Sequence, residues 1–446
     1  MNKKDSVFLK KSLEESLPEA NIDNGLYDKY NVKKGLRNAN GTGVLVLLTK
    51  ISDVYGYNII NGEKVDDEGH LYYRGYDIYD LVHLNEVKYG FERVCFLILF
   101  SHLPSEKEIT AFHNVLSSMY ELPEGFTEDV ILRKTSKSVM NQIQKSILSM
   151  YSYDDDPDKT GVQETLEKGL SIIAKLPSII AYSYRAKRHY HDGLTLHIRN
   201  PRSDYSIAEN LLYMFRRDGE FTRLEAETLD LALILHADHG CGNNSTFCNI
   251  VVSSTGTDIY SSMSASMGSL KGPRHGGASR AVRDMMKAVI SEISLDASDD
   301  EIRTLVNRIL DKDFHDKSGL IYGVGHAVYT TSDPRANLLR AKCEELARMK
   351  GCMKKFNFYK RFETIANEEL QRRKGPNFHC CTNVDFYSGL TYEILQIHED
   401  LFIPIFGCGR SIGWLSHNIE NKLYCDKIIR PAGKYVGVGH DETSIG

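Results

Sequence analysis

Long apolar runs are missing from this sequence of 446 residues, because the longest, such as Val94–Phe100 and Leu231–Leu235, are far too short to span a bilayer. An excess of positive charge is missing as well. The net charge is -5, whereas nucleic-acid-binding proteins are usually basic. These deficits predict a soluble globular protein with neither a membrane nor a nucleic acid as its partner.

Targeting and disulfide patterns are also absent. None of the nine cysteines forms a C-x-x-C pair, and only Cys380 and Cys381 are adjacent. An odd number of cysteines without a spacing pattern is typical of reduced thiols. The first twenty residues lack an apolar core and the first arginine is Arg37, unlike a secretory or mitochondrial signal. We therefore expect a cytoplasmic protein.

Proline is scarce, with 11 in the chain, and apolar residues recur at helical spacing, which predicts a mainly α fold. Thr222 and Glu225 form a capping box that predicts a helix over 222–239, ended by Gly240. Ser298 with Glu301 forms a second capping box. Asp333-Pro334 predicts a helix start and a helix through about Met349. The turn-rich segment Gly62–Ile78 predicts a small hairpin.

Histidines stand in three glycine-rich segments. His236 and His239 are predicted to share a helix face, where they could hold a metal or cap the helix end. His275 lies in GPRHGG just before a predicted helix at Ala278. The helix dipole there would keep its ring neutral and able to donate a hydrogen bond. An incidental histidine in a glycine turn is an equal alternative. His326 follows Gly323-Val-Gly325, which matches neither a P-loop nor a dinucleotide fingerprint.

Charged residues follow in the same half of the chain. Arg335, in the first turn of the helix after Asp333, suits a carboxylate ligand, although a surface arginine fits the pattern too. Asp385 stands among apolar residues in NVDFYSG, which would raise its pKa and make it a better base. A plain N-cap for a helix over Tyr387–Ile397 is the alternative. Arg410 and Arg430 follow near the C-terminus, and a surface charge is the alternative for each.

Together these segments resemble the citrate synthase family from Tyr73 to Pro431. The matching pieces, in family order, are HADH at 236–239, GPRHGG at 272–277, GVGHAVY at 323–329, DPRA at 333–336, NVDFYSG at 383–389, GRSIGW at 409–414 and RPAGKYVG at 430–437. The resemblance implies an acyltransferase that condenses acetyl-CoA with oxaloacetate and hydrolyses citryl-CoA. It implies no metal and no cofactor besides the coenzyme A thioester that enters as substrate.

The resemblance also implies a role for each matching residue. Asp385 would take a proton from the thioester's methyl group, and His275 would stabilise the resulting enol. His326 would polarise the ketone of oxaloacetate and protonate the alkoxide. The substrate oxaloacetate would be bound by His239, Arg335, Arg410 and Arg430.

The fold implied by the resemblance is a citrate-synthase-like two-domain fold. A large helical domain, 1–275 plus 385–446, would carry an inserted small helical domain, 276–384, and close on oxaloacetate. The family works as a homodimer, in which the residue matching Arg430 comes from the partner chain.

Two departures from the family pattern bear on the site. Many relatives have Glu where this chain has Gly240, and many carry a basic residue for coenzyme A phosphates where it has Tyr329-Thr-Thr-Ser332. Phosphate binding would then need other cations, and charge alone points to a group of four: Lys354, Lys355, Lys360 and Arg361. A solvated helix face is the alternative for these four residues.

Three alternatives remain open at this point. A 2-methylcitrate synthase would use propionyl-CoA, and one methylene is worth only about 1–3 kcal/mol of discrimination. A metal-dependent hydrolase built on His236 and His239 would leave the other six segments unexplained. A catalytically dead paralogue is disfavoured because every matched position has the expected residue type.

Overall fold

The computed structural model describes residues 3–38, 40–60, 63–326, 328–375, 378–425 and 427–437. The chain forms two compact units, one of Met1–Val46 with Ile429–Gly446 and one of Leu47–Ile428. The first unit contains helices α1 (Lys3–Ala20) and α2 (Gly25–Lys29) and an isolated bridge between Arg37 and Gly43.

The second unit opens with an antiparallel sheet of three strands in the order β1 (Ser52–Ile60), β2 (Glu63–Tyr73) and β3 (Tyr76–Asp77). The predicted small hairpin within Gly62–Ile78 is confirmed, because β2 and β3 pair antiparallel there. What the sequence did not predict is that β2 also pairs with β1, which precedes that segment. Burial along β1 does not alternate between faces, so β1 lacks the period of two that reveals a strand. Gly62 itself lies outside the described residues.

Helices make up the rest of the second unit. Their bounds are α3 (Ile78–Leu81), α4 (Gly90–Phe100), α5 (Glu106–Ser117), α6 (Val139–Ser149), α7 (Val162–Tyr190), α8 (Ile207–Phe215), α9 (Arg223–His236), α10 (Asn244–Ser253), α11 (Ile259–Leu270), α12 (Ala278–Ile293), α13 (Asp299–Leu310), α14 (Pro334–Met349), α15 (Met353–Lys374), α16 (Val384–Ile394) and α17 (Phe402–Tyr424). The predicted mainly α class is confirmed, with 60% helix against 6% strand. No described helix is long and apolar enough to cross a membrane.

Helix starts follow the local rules that the sequence predicted. Thr222 and Ser298 each accept a hydrogen bond from the backbone N–H three residues on, and the glutamate there bonds back to complete the capping box. Asp333 caps α14 with Pro334 as its first residue. These starts and the end of α14 at Met349 are confirmed.

Helix α17 packs in the core against α9, and its glycines allow the two helices to approach closely. A methyl group at Gly409 would lie 3.0 Å from the carbonyl oxygen of Leu233, and one at Gly413 would lie 2.6 Å from that of Ala237. This approach buries Arg410 completely and places its Nε 2.6 Å from the carbonyl oxygen of His236. The helix pair thus carries a cation into the interior.

Candidate active site

His239 lies in the turn after α9, and the prediction that it shares a helix face with His236 was wrong. Helix α9 ends at His236, because the side chain of Asp238 accepts the backbone N–H of Gly240 at 3.0 Å and holds the chain in a turn. Gly240 has φ of +82°, which glycine adopts without strain. His239 is half-buried, and desolvation leads the effects that lower its pKa well below the ordinary value. Its Nε2 is buried and has no hydrogen-bond partner among the described residues.

His275 precedes α12 as predicted, and its Nε2 lies 3.0 Å from Oγ of Ser245. Burial, and then the charge of Arg410, lower the pKa of His275 to about 4. The ring is therefore neutral, and desolvation together with a nearby cation is sufficient to keep it so. Trp414 donates its indole N–H to Ser245 Oγ at 3.1 Å, which leaves that hydroxyl one proton of its own to give.

His326 is held in one tautomer by backbone. Its Nδ1 accepts the N–H groups of Val328 and Tyr329, each at 3.0 Å. A nitrogen that accepts carries no proton, so the proton of the neutral ring is on Nε2. Burial and the charge of Arg335 lower the pKa of His326 to about 4, which keeps the ring neutral.

Arg335 is oriented by a protein carboxylate. Its Nε and Nη2 donate to the two oxygens of Asp333 at 3.0 and 2.8 Å, and both side chains are buried. Asp333 also accepts the backbone N–H of Val384 at 3.1 Å, which ties the start of α14 to the start of α16. The sequence treated Asp333 only as an N-cap, and no pattern in the sequence signals its second function of holding Arg335.

Arg410 is the least satisfied cation of the described structure's interior. Its Nη1 and Nη2 are buried and have no hydrogen-bond partner among the described residues. Burial lowers its pKa to about 10, so the group still carries its charge at neutral pH. Since an uncompensated buried charge is costly, this guanidinium is suited to an anion that enters the cleft.

Asp385 is the second residue of α16, whose N-cap is Asn383 with its Oδ1 accepting the Asp385 N–H at 3.0 Å. The alternative that Asp385 is itself the N-cap was wrong, since the helix begins at Val384. Burial, with help from the charge of Asp333, raises the pKa of Asp385 to about 6. Its carboxylate is therefore a stronger base than an exposed one and is still ionised at neutral pH.

Six of the seven predicted site residues lie in the second unit and surround one region. The ring centroids of His239 and His326 are 5.3 Å apart, and Nε2 of His326 lies 3.4 Å from Nη2 of Arg335. The charge of Arg410 depresses the pKa values of both His275 and Asp385. Arg430, the seventh, is exposed in the first unit, and its role stays a prediction.

Aromatic rings complete the region, and the sequence analysis missed them. Tyr329 stacks on His326 with centroids 4.7 Å apart and lies 5.5 Å from His239. Phe406 packs against His236 at 4.4 Å and against the guanidinium of Arg410 at 4.9 Å. Each ring lies within four residues of a predicted site residue in the sequence, and this proximity was the signal that could have indicated both rings.

Cations proposed for the coenzyme A phosphates are mostly occupied. Lys354 and Arg361 bind carboxylates at 2.7 Å, and Lys355 binds Glu393. Lys360 instead lines a cavity of about 390 Å³ together with Arg340. Which of the four cations binds the coenzyme A phosphates stays a prediction.

Comparison with known proteins agrees with the predicted resemblance. The family model "Citrate synthase, C-terminal domain" matches residues 38–432. Citrate synthase of Haloferax volcanii is 36% identical over 91% of this chain and 96% of its own length, and 2-methylcitrate synthase of Shewanella oneidensis is 32% identical over 82% and 89%. The crystal structure of citrate synthase from Pyrobaculum aerophilum is 31% identical with a TM-score of 0.73, covering 90% of this chain and 93% of that one. The predicted fold class is thereby confirmed.

Proposed function

The chain belongs to the citrate synthase family, and from that premise we propose that it joins the methyl carbon of acetyl-CoA to the ketone carbon of oxaloacetate and hydrolyses citryl-CoA. The observation that carries the proposal is that Nη1 and Nη2 of Arg410, buried near the neutral His239, have no hydrogen-bond partner among the described residues. A dicarboxylate that carries a ketone supplies the acceptors that these donors lack.

Oxaloacetate binding uses the donors left free at the site. Both terminal nitrogens of Arg410 are available for one carboxylate, whereas Asp333 occupies two nitrogens of Arg335 and leaves Nη1 for the substrate. Unpaired Nε2 of His239 faces the same region. Arg430 completes the second carboxylate site, contributed by another copy of the chain.

His326 polarises the ketone. Its tautomer presents Nε2–H, and the two backbone N–H groups at Nδ1 stabilise negative charge on the ring as that proton moves toward the alkoxide. The neutral ring therefore acts as an acid while it stays fixed in orientation.

Asp385 and His275 activate the thioester. The ionised carboxylate takes a methyl proton, and His275 donates a hydrogen bond to the thioester oxygen, where the enol forms. If this donor is Nδ1–H, Ser245 must give its hydroxyl proton to Nε2 of His275 rather than to Asn243 Oδ1, which lies 2.9 Å away. Neither step uses a metal or a further cofactor in this proposal.

Larger-scale features belong to the proposal as well. The small domain, 276–384, closes on oxaloacetate and excludes water, so that the thioester site forms only after the first substrate binds. The enzyme works as a homodimer, and its compartment is the cytoplasm.

Thiol release from acetyl-CoA and from propionyl-CoA, each with oxaloacetate, tests the function. We expect the larger kcat/KM with acetyl-CoA. A larger value with propionyl-CoA would replace the substrate and favour 2-methylcitrate synthase, while the absence of thiol release with both would refute the reaction type. Metal analysis of the active protein addresses the hydrolase alternative, and among the described residues no three His, Cys, Asp or Glu side chains converge on one point.

A further inference from the structure

The hairpin of β1 and β2 contains an irregularity that leaves backbone groups without partners in the strand ladder. Tyr55 pairs with His70, but the next pair is Tyr57 with Asp66. One residue on β1 therefore faces a bulge of three on β2, namely 67–69. Such a bulge interrupts the ladder and frees N–H and C=O groups for other contacts.

Three consecutive hydroxyls from another part of the second unit occupy these freed groups. Thr330 Oγ1 donates to the carbonyl oxygen of Gly56 at 2.6 Å, and Thr331 Oγ1 donates to that of Asp67 at 2.6 Å. Ser332 Oγ accepts the N–H of Gly69 at 3.0 Å. The side chains of this Thr-Thr-Ser stretch therefore bind the hairpin.

Glycine at two positions makes the approach sterically feasible. A methyl group at Gly56 would lie 2.8 Å from Cα of Tyr329, and one at Gly69 would collide with the carbonyl oxygen of Ser332. Side chains at either position would push the two segments apart. The hairpin and the 328–332 segment are therefore fitted to each other through backbone as well as through hydroxyls.

The contact leads directly to His326. Tyr329, the residue before the hydroxyl stretch, is fully buried, gives its N–H to Nδ1 of His326 and stacks on the ring. Any displacement of 328–332 from the hairpin would withdraw the two N–H groups that fix the tautomer of His326.

We propose that Thr330, Thr331 and Ser332, bound at the bulge of β1 and β2, form a hydroxyl clasp that positions His326. The inference rests on the proposed function for the catalytic consequence alone. The segments 56–69 and 330–332 fall on opposite sides of the predicted domain boundary at 276, so in that division the clasp would also join the two predicted domains. Its three hydroxyl residues are positioning residues, since they act through the 328–332 segment.

The double variant Thr330→Val/Thr331→Val removes two donors with little change of shape. We expect kcat to fall about three- to tenfold for each lost hydrogen bond, with a smaller carbonyl shift of bound oxaloacetate in the infrared spectrum. The ¹⁵N resonance of His326 Nδ1, measured without substrate, should move because its backbone donors are displaced. Gly69→Ala should have the same effects more strongly.

Two controls separate positioning from general stability. Thr110→Val removes a hydroxyl that also donates to a backbone carbonyl, at 2.7 Å, but at an exposed position within its own helix, and should leave all readouts unchanged. Thr330→Ser/Thr331→Ser keeps both hydroxyls, so kcat and the ¹⁵N resonance of His326 Nδ1 should match those of the parent. An unchanged Nδ1 resonance in the valine variant, or a lower Tm with normal kcat, would overturn the clasp. Because the resonance needs no substrate, it decides the inference even if oxaloacetate proves not to be bound.

Discussion

At the scale of single residues, the chemistry depends on groups whose charge states are set by burial. Desolvation raises the pKa of Asp385 to about 6 and lowers those of His275 and His326 to about 4. At neutral pH the carboxylate is ionised and both rings are neutral. A base and two neutral hydrogen-bond donors can therefore coexist in one cleft without cancelling each other's charge.

Asp385→Asn tests the base. The amide keeps the shape of the carboxylate but cannot accept a proton, so turnover should fall by about 10²–10⁴, while oxaloacetate binding, measured by calorimetry, stays largely intact. Asp300→Asn, at an exposed position of α13, is the matched control and should be as active as the parent. Near-normal turnover of Asp385→Asn would show that another group takes the proton.

His275 and His326 should fail in different steps. His275→Ala is expected to abolish exchange of the thioester's methyl protons with solvent, because the enol loses its donor. His326→Ala should reduce the infrared carbonyl shift of bound oxaloacetate, because Nε2–H no longer polarises the ketone. The reverse pattern in these two measurements would exchange the two roles.

At the scale of elements, prediction worked where local chemistry decides the structure. Capping boxes and the Asp333-Pro334 start are short-range signals, and the corresponding helices begin where expected. The predicted end of α9 was wrong because the observed end depends on Asp238, whose partners come from distant elements. Ser52 and His417 both bind that carboxylate, and no periodicity in the sequence connects them.

The buried pair of His417 and Asp238 gives a prediction for α17. His417 Nε2 lies 3.1 Å from Asp238 Oδ2, and this carboxylate leads the effects that raise the pKa of His417 to about 9 against the opposing effect of burial. His417→Gln leaves the carboxylate buried without its cation, which should cost about 3–5 kcal/mol in the free energy of unfolding.

The pH dependence of that loss follows from the pKa directions. The folded-state pKa of His417 is raised. Its contribution to the free energy of unfolding is therefore fully present at pH values below the ordinary histidine pKa, and it is lost as the pH rises through about 9. The pKa of Asp238 is lowered, so its contribution disappears in acid. Urea unfolding should show a larger difference in the free energy of unfolding between the parent and His417→Gln at pH 7 than at pH 10. His102→Gln, an exposed control, should show little effect, and a gap independent of pH would contradict the ion pair.

At the scale of the whole molecule, the sequence predicted which residues would lie together but not how they pack. The order of the motifs predicted six site residues, and the fold brings these six together in the second unit. Partners such as Ser245, Tyr329 and Phe406 were missed because their importance arises from contacts between elements far apart in sequence. The domain boundaries at 276 and 384 and the donation of Arg430 across chains remain predictions.

Arg430 offers a test of the shared site. It lies in an exposed RPAGKY segment sixteen residues from the end of the chain, and a symmetric dimer in which each tail reached the other chain would complete both sites at once. Asp385→Asn and Arg430→Ala should each be nearly inactive alone. When the two variants are denatured and refolded together, random pairing makes about half of the dimers mixed.

In a mixed dimer, the site built on the Arg430→Ala chain keeps its own Asp385 and receives an intact Arg430 from its neighbour. The other site carries both defects. One live site in half of the dimers should restore activity to roughly a quarter of the parent's. If Arg430 served its own chain, every site would keep at least one defect and activity would stay near zero. An active monomer in size-exclusion chromatography would also refute the shared site, since no second chain would then be present to donate the arginine.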